Sequence, residues 1–270
     1  MAADPLLAVD GLSVLVPDGE GGRRPAVDGV SFAVSRGERV GLVGPSGSGK
    51  SLTLLGVLGL APAPAEIAAG RVTVNGVPAA DVARFRGGSV GLVLQEAGSA
   101  LNPVFRIGSQ LVETVRAHGD AGRARARQRA RELLAEVALD DPDAVLDAYP
   151  FELSGGQAQR ALIALALAGD PAVLLADEPT TALDVVTQAR ILDLLVRITE
   201  ERGLGLVLVS HDLAVVAGLV HRVLVMDRGR LVEQGPPERV LRAPEHAATQ
   251  RLVAAARRWR DDAEAGGTSL

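Results

Sequence analysis

The 270-residue chain contains no cysteine. That excludes disulfides, thiolate metal sites, iron–sulfur clusters held through thiolates and cysteine nucleophiles together. It has no basic excess either: the formal net charge is −5, without the positive footprint a polyanion partner requires, so nucleic acid is not an expected partner. Long apolar runs are missing as well. Spanning a bilayer takes about 18 or more consecutive apolar residues, and the richest stretch, "ALIALALAGDPAVLLADE" from Ala161, is broken by Asp170 and Pro171. Any membrane role has to pass through a partner. The start, "MAADPLLAVDGLSV", carries acids early and lacks a basic region followed by a continuous apolar stretch, so it does not read as a signal peptide and a cytoplasmic protein is expected.

Lysine is nearly absent. Of 28 basic residues only one, Lys50, is a lysine. Arginine-rich coding explains the arginines and leaves Lys50 a coincidence; a compact ammonium on a flexible stem fits among nucleotide phosphates where a planar fork does not. What is present in quantity is apolar: 47% hydrophobic content buries a substantial core, in one large domain or two small ones.

Lys50 sits in "GPSGSGKS", residues 44 to 51. The apolar run "RVGLVG" before it predicts a strand and "KSLTLLGVLGL" after it a helix, the context that the pattern G-x-x-x-x-G-K-[ST] demands. In such a loop Gly44, Gly47 and Gly49 let the backbone wrap closely, Pro45 and Ser46 belong to the nucleotide-binding stretch, and the amides of Ser48 to Leu52 donate to phosphate oxygens. Lys50 reaches the β- and γ-phosphates, and Ser51 ligates Mg²⁺.

Further on, "AVLLADEP" (Ala172 to Pro179) reads as a buried parallel strand ending in two carboxylates, at the strand end where open α/β sheets bind ligands. Asp177 there holds Mg²⁺ through water and Glu178 polarises the attacking water; taken alone, the pair is also an ordinary strand end. The strand "LGLVLVSHD" ends in His211, one strand–helix unit later, so parallel neighbours bring both to the γ-phosphate; a lone histidine there is as readily structural. Gln95 closes the strand "SVGLVLQ", and its neutral amide can touch Mg²⁺ or the attacking water. A second glycine-opened helix follows "FELSGGQAQR", another place where backbone N–H groups face an anion.

Together these pieces resemble a family. "GPSGSGKS", Gln95, "LSGGQ" at 153 to 157, "LLADE" at 174 to 178, "ALD" at 182 to 184 and "SHD" at 210 to 212 look like the Walker A, Q-loop, signature, Walker B, D-loop and H-loop of ATP-binding cassette (ABC) transporter ATPases. The resemblance covers about residues 6 to 255. It implies an α/β fold of the P-loop NTPase type: a mixed sheet core with a RecA-like lobe, an antiparallel β subdomain, and an inserted helical subdomain at about 96–160. The cassette is expected over 1–258, with a disordered tail at 259–270. It implies ATP and Mg²⁺ as ligands, with Ser51, Gln95 and Asp177 on the metal and Glu178, His211 and Gln95 at the reaction.

The resemblance also accounts for the second glycine loop. In this family the signature completes the ATP site of the opposite cassette, so Ser154, Gly155, Gly156, Gln157 and Asp184 serve a partner's nucleotide. Helix 156–168 adds its positive end. Two ATPs are then sandwiched between two cassettes, and hydrolysis removes the γ-phosphate contacts that favoured closure.

Within the family, "QEAGSALNPVF", "YPFELSGGQAQR", "ADEPTTALDVVTQARILDLL" and "APEHAATQRLV" look like the ATPases of oligopeptide, dipeptide and nickel importers, most of all the nickel type. Such systems pair two different ATPase subunits with two permeases and an extracytoplasmic binding protein at the cytoplasmic face of the membrane. The segment "EAGSALNPVFRIGSQLVET" is the expected permease-coupling surface. An ABC exporter and a soluble non-transport ABC ATPase are the alternatives. Val16 stands where relatives commonly place an adenine-stacking aromatic, and aromatics are only 2% of the chain, so loose base discrimination is expected. The arginine-dense "GRARARQRARE" steps its arginines by two, which spreads them around a helix and fits a solvated helix better than a lipid or RNA contact.

Overall fold

Apolar runs of four to six residues alternate with helical periodicity along much of the chain, and five short, mostly buried strands fall on those runs. The computed structural model describes residues 4–79 and 88–266. Its strands are β1 (Leu7–Pro17), β2 (Arg23–Val34), β3 (Arg39–Val43), β4 (Glu66–Val74), β5 (Val77–Pro78), β6 (Val90–Val93), β7 (Val173–Asp177), β8 (Gly205–Ser210), β9 (Arg222–Asp227) and β10 (Arg230–Gly235); helices are named below by their residues. Two units interleave along the sequence. One is built on Ala8–Val34, Glu38–Thr73 and the residues from Val207 onward; the other on Ser35–Gly37 and Val74–Leu206 with the N-terminal residues through Leu7.

In the first unit the sheet runs β10-β9-β3-β8. Strands β3 and β9 are parallel, with Val43 opposite Val225, while β10 returns antiparallel to β9. Val40, Leu42 and Val43 of β3 and Val223 to Met226 of β9 are wholly buried, the continuous apolar pattern of a strand covered on both faces. Strands β2, β1 and β4 form a separate hydrogen-bonded set in that order, with buried residues alternating along β1. Helix Lys50–Val57 follows β3 directly, as the motif predicts. Helix Ala247–Gly266 runs through residues 259–266 of the expected tail; residues 267–270 lie outside the described residues.

The other unit pairs β6 and β7 in parallel, Val93 opposite Ala176, and carries helices Ala97–Ala100, Ile107–Ala117, Arg123–Glu136, Pro142–Asp147, Gly155–Leu167 and Val185–Arg202. Leu111, Leu133, Leu134, Leu146, Ile163 and Leu167 are buried at its centre. The helical block expected to close near Arg160 ends in a helix that runs to Leu167, with Ala161, Ile163, Ala164 and Leu167 wholly buried along its second half. On Arg123–Glu136 the buried residues are Ala126, Ala130, Leu133 and Leu134, one helical face, and the arginines lie outside it, Arg127 paired with Asp147 and Arg131 with Asp143. At their exposure such pairs contribute little; they are the solvated helix read from the sequence. No helix among the described residues is long and apolar enough to cross a membrane.

Candidate functional site

Strand β3 delivers the phosphate loop. Gly44 follows Val43 at the end of β3, level with Met226 of β9, and a Cβ there would lie 2.2 Å from the Met226 carbonyl oxygen. Only glycine fits. Gly47 and Gly49 both have positive φ, and Gly49 is the N-cap of helix Lys50–Val57 in left-handed geometry, with φ 103°, which glycine adopts without a steric penalty. The Ser48 amide closes a turn onto the Pro45 carbonyl at 3.2 Å. Helix Lys50–Val57 therefore starts with its first N–H groups unpaired within the helix, and no acid sits in its first turn.

Two observations mark this cradle as an anion site. Lys50 is only 6% exposed and its Nζ donates to the carbonyls of Gly44 at 2.9 Å and Pro45 at 3.1 Å, so the one ammonium of the chain is held inside the loop it opens. Ser48 is buried too, and its Oγ has no hydrogen-bond partner among the described residues, a costly arrangement that a bound ligand atom relieves. Pro45 and Gly49 are half-buried, and Ser46, Gly47 and Ser51 face out. His211, also exposed, follows β8, the strand that neighbours β3; Asp212 after it donates its amide to Ser210 Oγ and accepts from the Val215 amide. Val16 is half-buried at the end of β1. The only aromatic side chain described in this unit, Phe32, is 7% exposed within β2.

The carboxylates belong to the other unit. The β6–β7 register sets Val93 beside Ala176, so the residues two further along, Gln95 and Glu178, leave the sheet side by side. Gln95 Nε2 donates to Thr181 Oγ1 at 3.5 Å and that hydroxyl donates to Glu178 Oε2 at 3.3 Å. Glu178 holds a φ of 43°, a left-handed conformation that a non-glycine residue keeps only where its surroundings impose it. Asp177 beside it is 7% exposed.

The signature forms the start of helix Gly155–Leu167, one residue earlier than read from the sequence. Ser154 caps it: its Oγ accepts from the Gln157 amide at 3.3 Å, and Gln157 Oε1 accepts from the Ser154 amide at 2.9 Å, a reciprocal capping box. Gln157 thus holds the loop's shape through its side chain, and the first amides, at Gly155 and Gly156, keep no acceptor within the helix. Asp184 caps the neighbouring helix Val185–Arg202, accepting from the Thr187 amide at 3.0 Å; hydrogen bonds from the Thr187 side chain and amide hold its carboxyl below the usual aspartate range. The two helix starts touch. A Cβ on Gly156 would lie 2.8 Å from Thr187 Cγ2 and one on Gly155 3.2 Å from Leu183 Cδ2, so the glycines let the signature and the "ALD" turn pack together.

The structure brings Lys50 to Gly44 and Pro45, Gln95 to Glu178, and Ser154, Gly155 and Gly156 to Asp184's helix. It also adds residues the motifs do not name. Thr181 bridges Gln95 and Glu178, and Gly229 donates its amide to the Ser48 carbonyl at 2.9 Å. Thr181 was signalled only by a hydroxyl three residues after Glu178, and Gly229 by the turn chemistry of "MDRGR" between two apolar runs.

A glycine loop on a buried parallel strand, a buried lysine turned into it and a helix starting from it define a P-loop nucleotide-binding protein. Residues 27–181 match the family model for ABC transporters, and the chain belongs to that family: it is an ATP-binding and ATP-hydrolysing cassette. It is 41% identical over 264 residues to the dipeptide transport ATP-binding protein DppD of Escherichia coli (strain K12), covering 96% of this chain and 80% of that one. It is 44% identical over 250 residues to the nickel import ATP-binding protein NikD of Brucella abortus, covering 92% and 94%. Among solved structures, the ATP-binding cassette MJ0796, dimeric in a post-hydrolysis state with ADP and Pi, aligns with a TM-score of 0.74 at 28% identity over 86% of this chain and 98% of that one.

Proposed function

We propose that this chain energises an importer for nickel or small peptides, as one of two unlike cassettes that sandwich ATP, seated on two permeases at the cytoplasmic face of the membrane and supplied by an extracytoplasmic binding protein. The names of its relatives, for dipeptide transport and nickel import, support the cargo class. The single observation that carries the nucleotide chemistry is the buried Lys50 ammonium, held within the same loop as a buried Ser48 hydroxyl that has no hydrogen-bond partner among the described residues.

In this reading Lys50 and the amides from Ser48 to Leu52 neutralise and orient the phosphates, and Glu178 takes the proton of the attacking water. His211 contacts the γ-phosphate. Gln95 orients the water and reports the nucleotide state. The Ser51 hydroxyl, the Asp177 carboxylate and the Gln95 amide oxygen are hard oxygen donors of the kind Mg²⁺ takes. These residues would hold Mg²⁺, which would supply charge neutralisation to the nucleotide phosphates. Ser154 with the Gly155 and Gly156 amides receives the γ-phosphate of the companion's ATP.

The permease side is supported by an apolar surface in the expected coupling segment. Val104 is 70% and Phe105 54% exposed, and Phe151, 73% exposed, stacks on Tyr149 at 5.4 Å. Arg106 covers the Tyr149 ring at 5.1 Å. Exposed aromatics backed by a rigid stack suit a short helix docking from a membrane partner. The test is cargo uptake after deletion of the gene: loss of nickel uptake or of dipeptide uptake assigns the cargo, and unchanged uptake of both contradicts the reading.

A further inference from the structure

We infer that the β9–β10 turn, Asp227 to Arg230, is a strut that positions the phosphate loop, and that Gly229 is its positioning residue. The inference rests on the nucleotide-site reading of that loop and goes beyond its motif.

The parallel register of β3 and β9 carries the turn after β9 beneath the loop after β3. There the Gly229 peptide is gripped from both sides. Its N–H donates to the Ser48 carbonyl at 2.9 Å, and its carbonyl accepts from the Asp28 amide of β2 at 2.8 Å. The Arg230 guanidinium reinforces the second link, pairing with the Asp28 carboxylate at 2.6 Å. Met226, just before the turn, closes the other side: Thr53 Oγ1 donates to its thioether at 3.6 Å, and a Cβ on Gly49 would lie 3.0 Å from its methyl and 2.6 Å from the Ala26 carbonyl oxygen.

The geometry has a direct consequence for anion binding. In a trans peptide the C=O and the following N–H point in opposite directions. Tying the Ser48 carbonyl back to Gly229 therefore aims the Gly49 N–H away from the strut, and fixes the loop where the next amides follow. A side chain cannot replace the glycine. Its φ is +83°, and a Cβ would lie 2.8 Å from the Ala26 carbonyl oxygen and 3.4 Å from the Val27 Cα, backbone on both counts, so the turn would have to withdraw from Ser48.

The experiment measures MgATP and MgADP affinity of the full chain by calorimetry, with thermal unfolding of each variant. Gly229→Ala is expected to weaken both nucleotides alike, by about five- to tenfold for one lost hydrogen bond, and to speed amide exchange over Ser48 to Leu52. Gly203→Ala is the control for backbone strain: it too carries a positive φ, +63°, but it ends helix Val185–Arg202 and faces only the Arg36 side chain, so it should lose stability and keep its affinity. A folded Gly229→Ala chain that binds nucleotide as the parent does overturns the inference. Should Gly229→Ala fail to fold, Arg230→Ala takes its place, with about threefold weaker binding expected for a partly exposed charge-assisted link and unchanged binding overturning the strut. Lys50→Ala separates the two levels: if it also binds normally, the nucleotide-site reading fails; if it alone loses binding, only the strut does.

Discussion

Gln95 and Glu178 share a single hydroxyl. Thr181 Oγ1 accepts from the Gln95 amide at 3.5 Å and donates to the Glu178 carboxylate at 3.3 Å, joining the ends of two parallel strands whose register already sets them side by side. With Glu178 on a left-handed backbone, its carboxylate has few ways to be aimed, and Thr181 supplies one. Thr181→Val keeps the shape and removes the link. Single-turnover hydrolysis should slow by about three- to tenfold, the worth of one hydrogen bond, with ATP affinity unchanged; an unchanged rate removes Thr181 from the site.

Glu178→Gln tests the base itself. General-base catalysis is worth about 10²- to 10⁴-fold, so the variant should lose at least about a hundredfold in turnover and retain ATP, locking the closed pair of cassettes. Retention is read by filter binding and closure by size-exclusion chromatography with MgATP. Hydrolysis at the parent rate makes the catalytic assignment wrong.

The nucleotide-loop unit offers Phe32 alone as a described aromatic side chain, and it is buried within β2, while Val16 stands half-buried at the end of β1. Stacking on an aromatic is worth about 1–3 kcal/mol per base. Without it, GTP should compete with ATP at a KM within about threefold of the ATP value, since the phosphates carry the affinity. Steady-state kinetics with both nucleotides checks this; a strong preference for ATP points to a base contact elsewhere.

Glu233 anchors helix Ala247–Gly266. Its carboxylate accepts from the Glu245 amide at 3.1 Å and the His246 amide at 2.9 Å. Burial pushes the carboxyl up, but the Thr249 side chain first, then these two amides and the nearby Arg239, outweigh it and leave the group below the usual glutamate range. A depressed folded pKa contributes stability that is complete above the unfolded value, near about 4.3, and is lost as pH falls through the folded one. Protease sensitivity of the C-terminal helix should therefore rise on acidification below about pH 4, and Glu233→Gln should remove that step. A pH-independent digestion pattern in the parent chain contradicts it.

Much of this was legible in the sequence because phosphate chemistry is local. The loop around Lys50 is defined by residues within eight positions of one another, and the helix after Ser154 by a capping box four residues long, so short-range spacing suffices. Strand pairing is a different matter. That β6 lies against β7, bringing Gln95 to Glu178, and β3 against β9, bringing Gly44 to Met226, are contacts between distant segments that no local pattern encodes. Thr181 and Gly229 gain their roles only from those pairings. Gln157 reads as a ligand from its motif, but its side chain reaches the Ser154 amide, because a glutamine three residues past a capping serine bonds back to the chain.

The central claim is that one cassette carries only half of each reaction centre, with the serine and glycine amides at 154 to 156 serving a second cassette. The most direct measurement is turnover per chain as cassette concentration is raised from strictly monomeric dilution, first alone and then with the companion cassette. The account predicts negligible turnover in the monomer, rising to a plateau as cassettes pair and abolished when Ser154 and Gly156 of the pairing chain are replaced. Full turnover by a chain that stays monomeric throughout contradicts it.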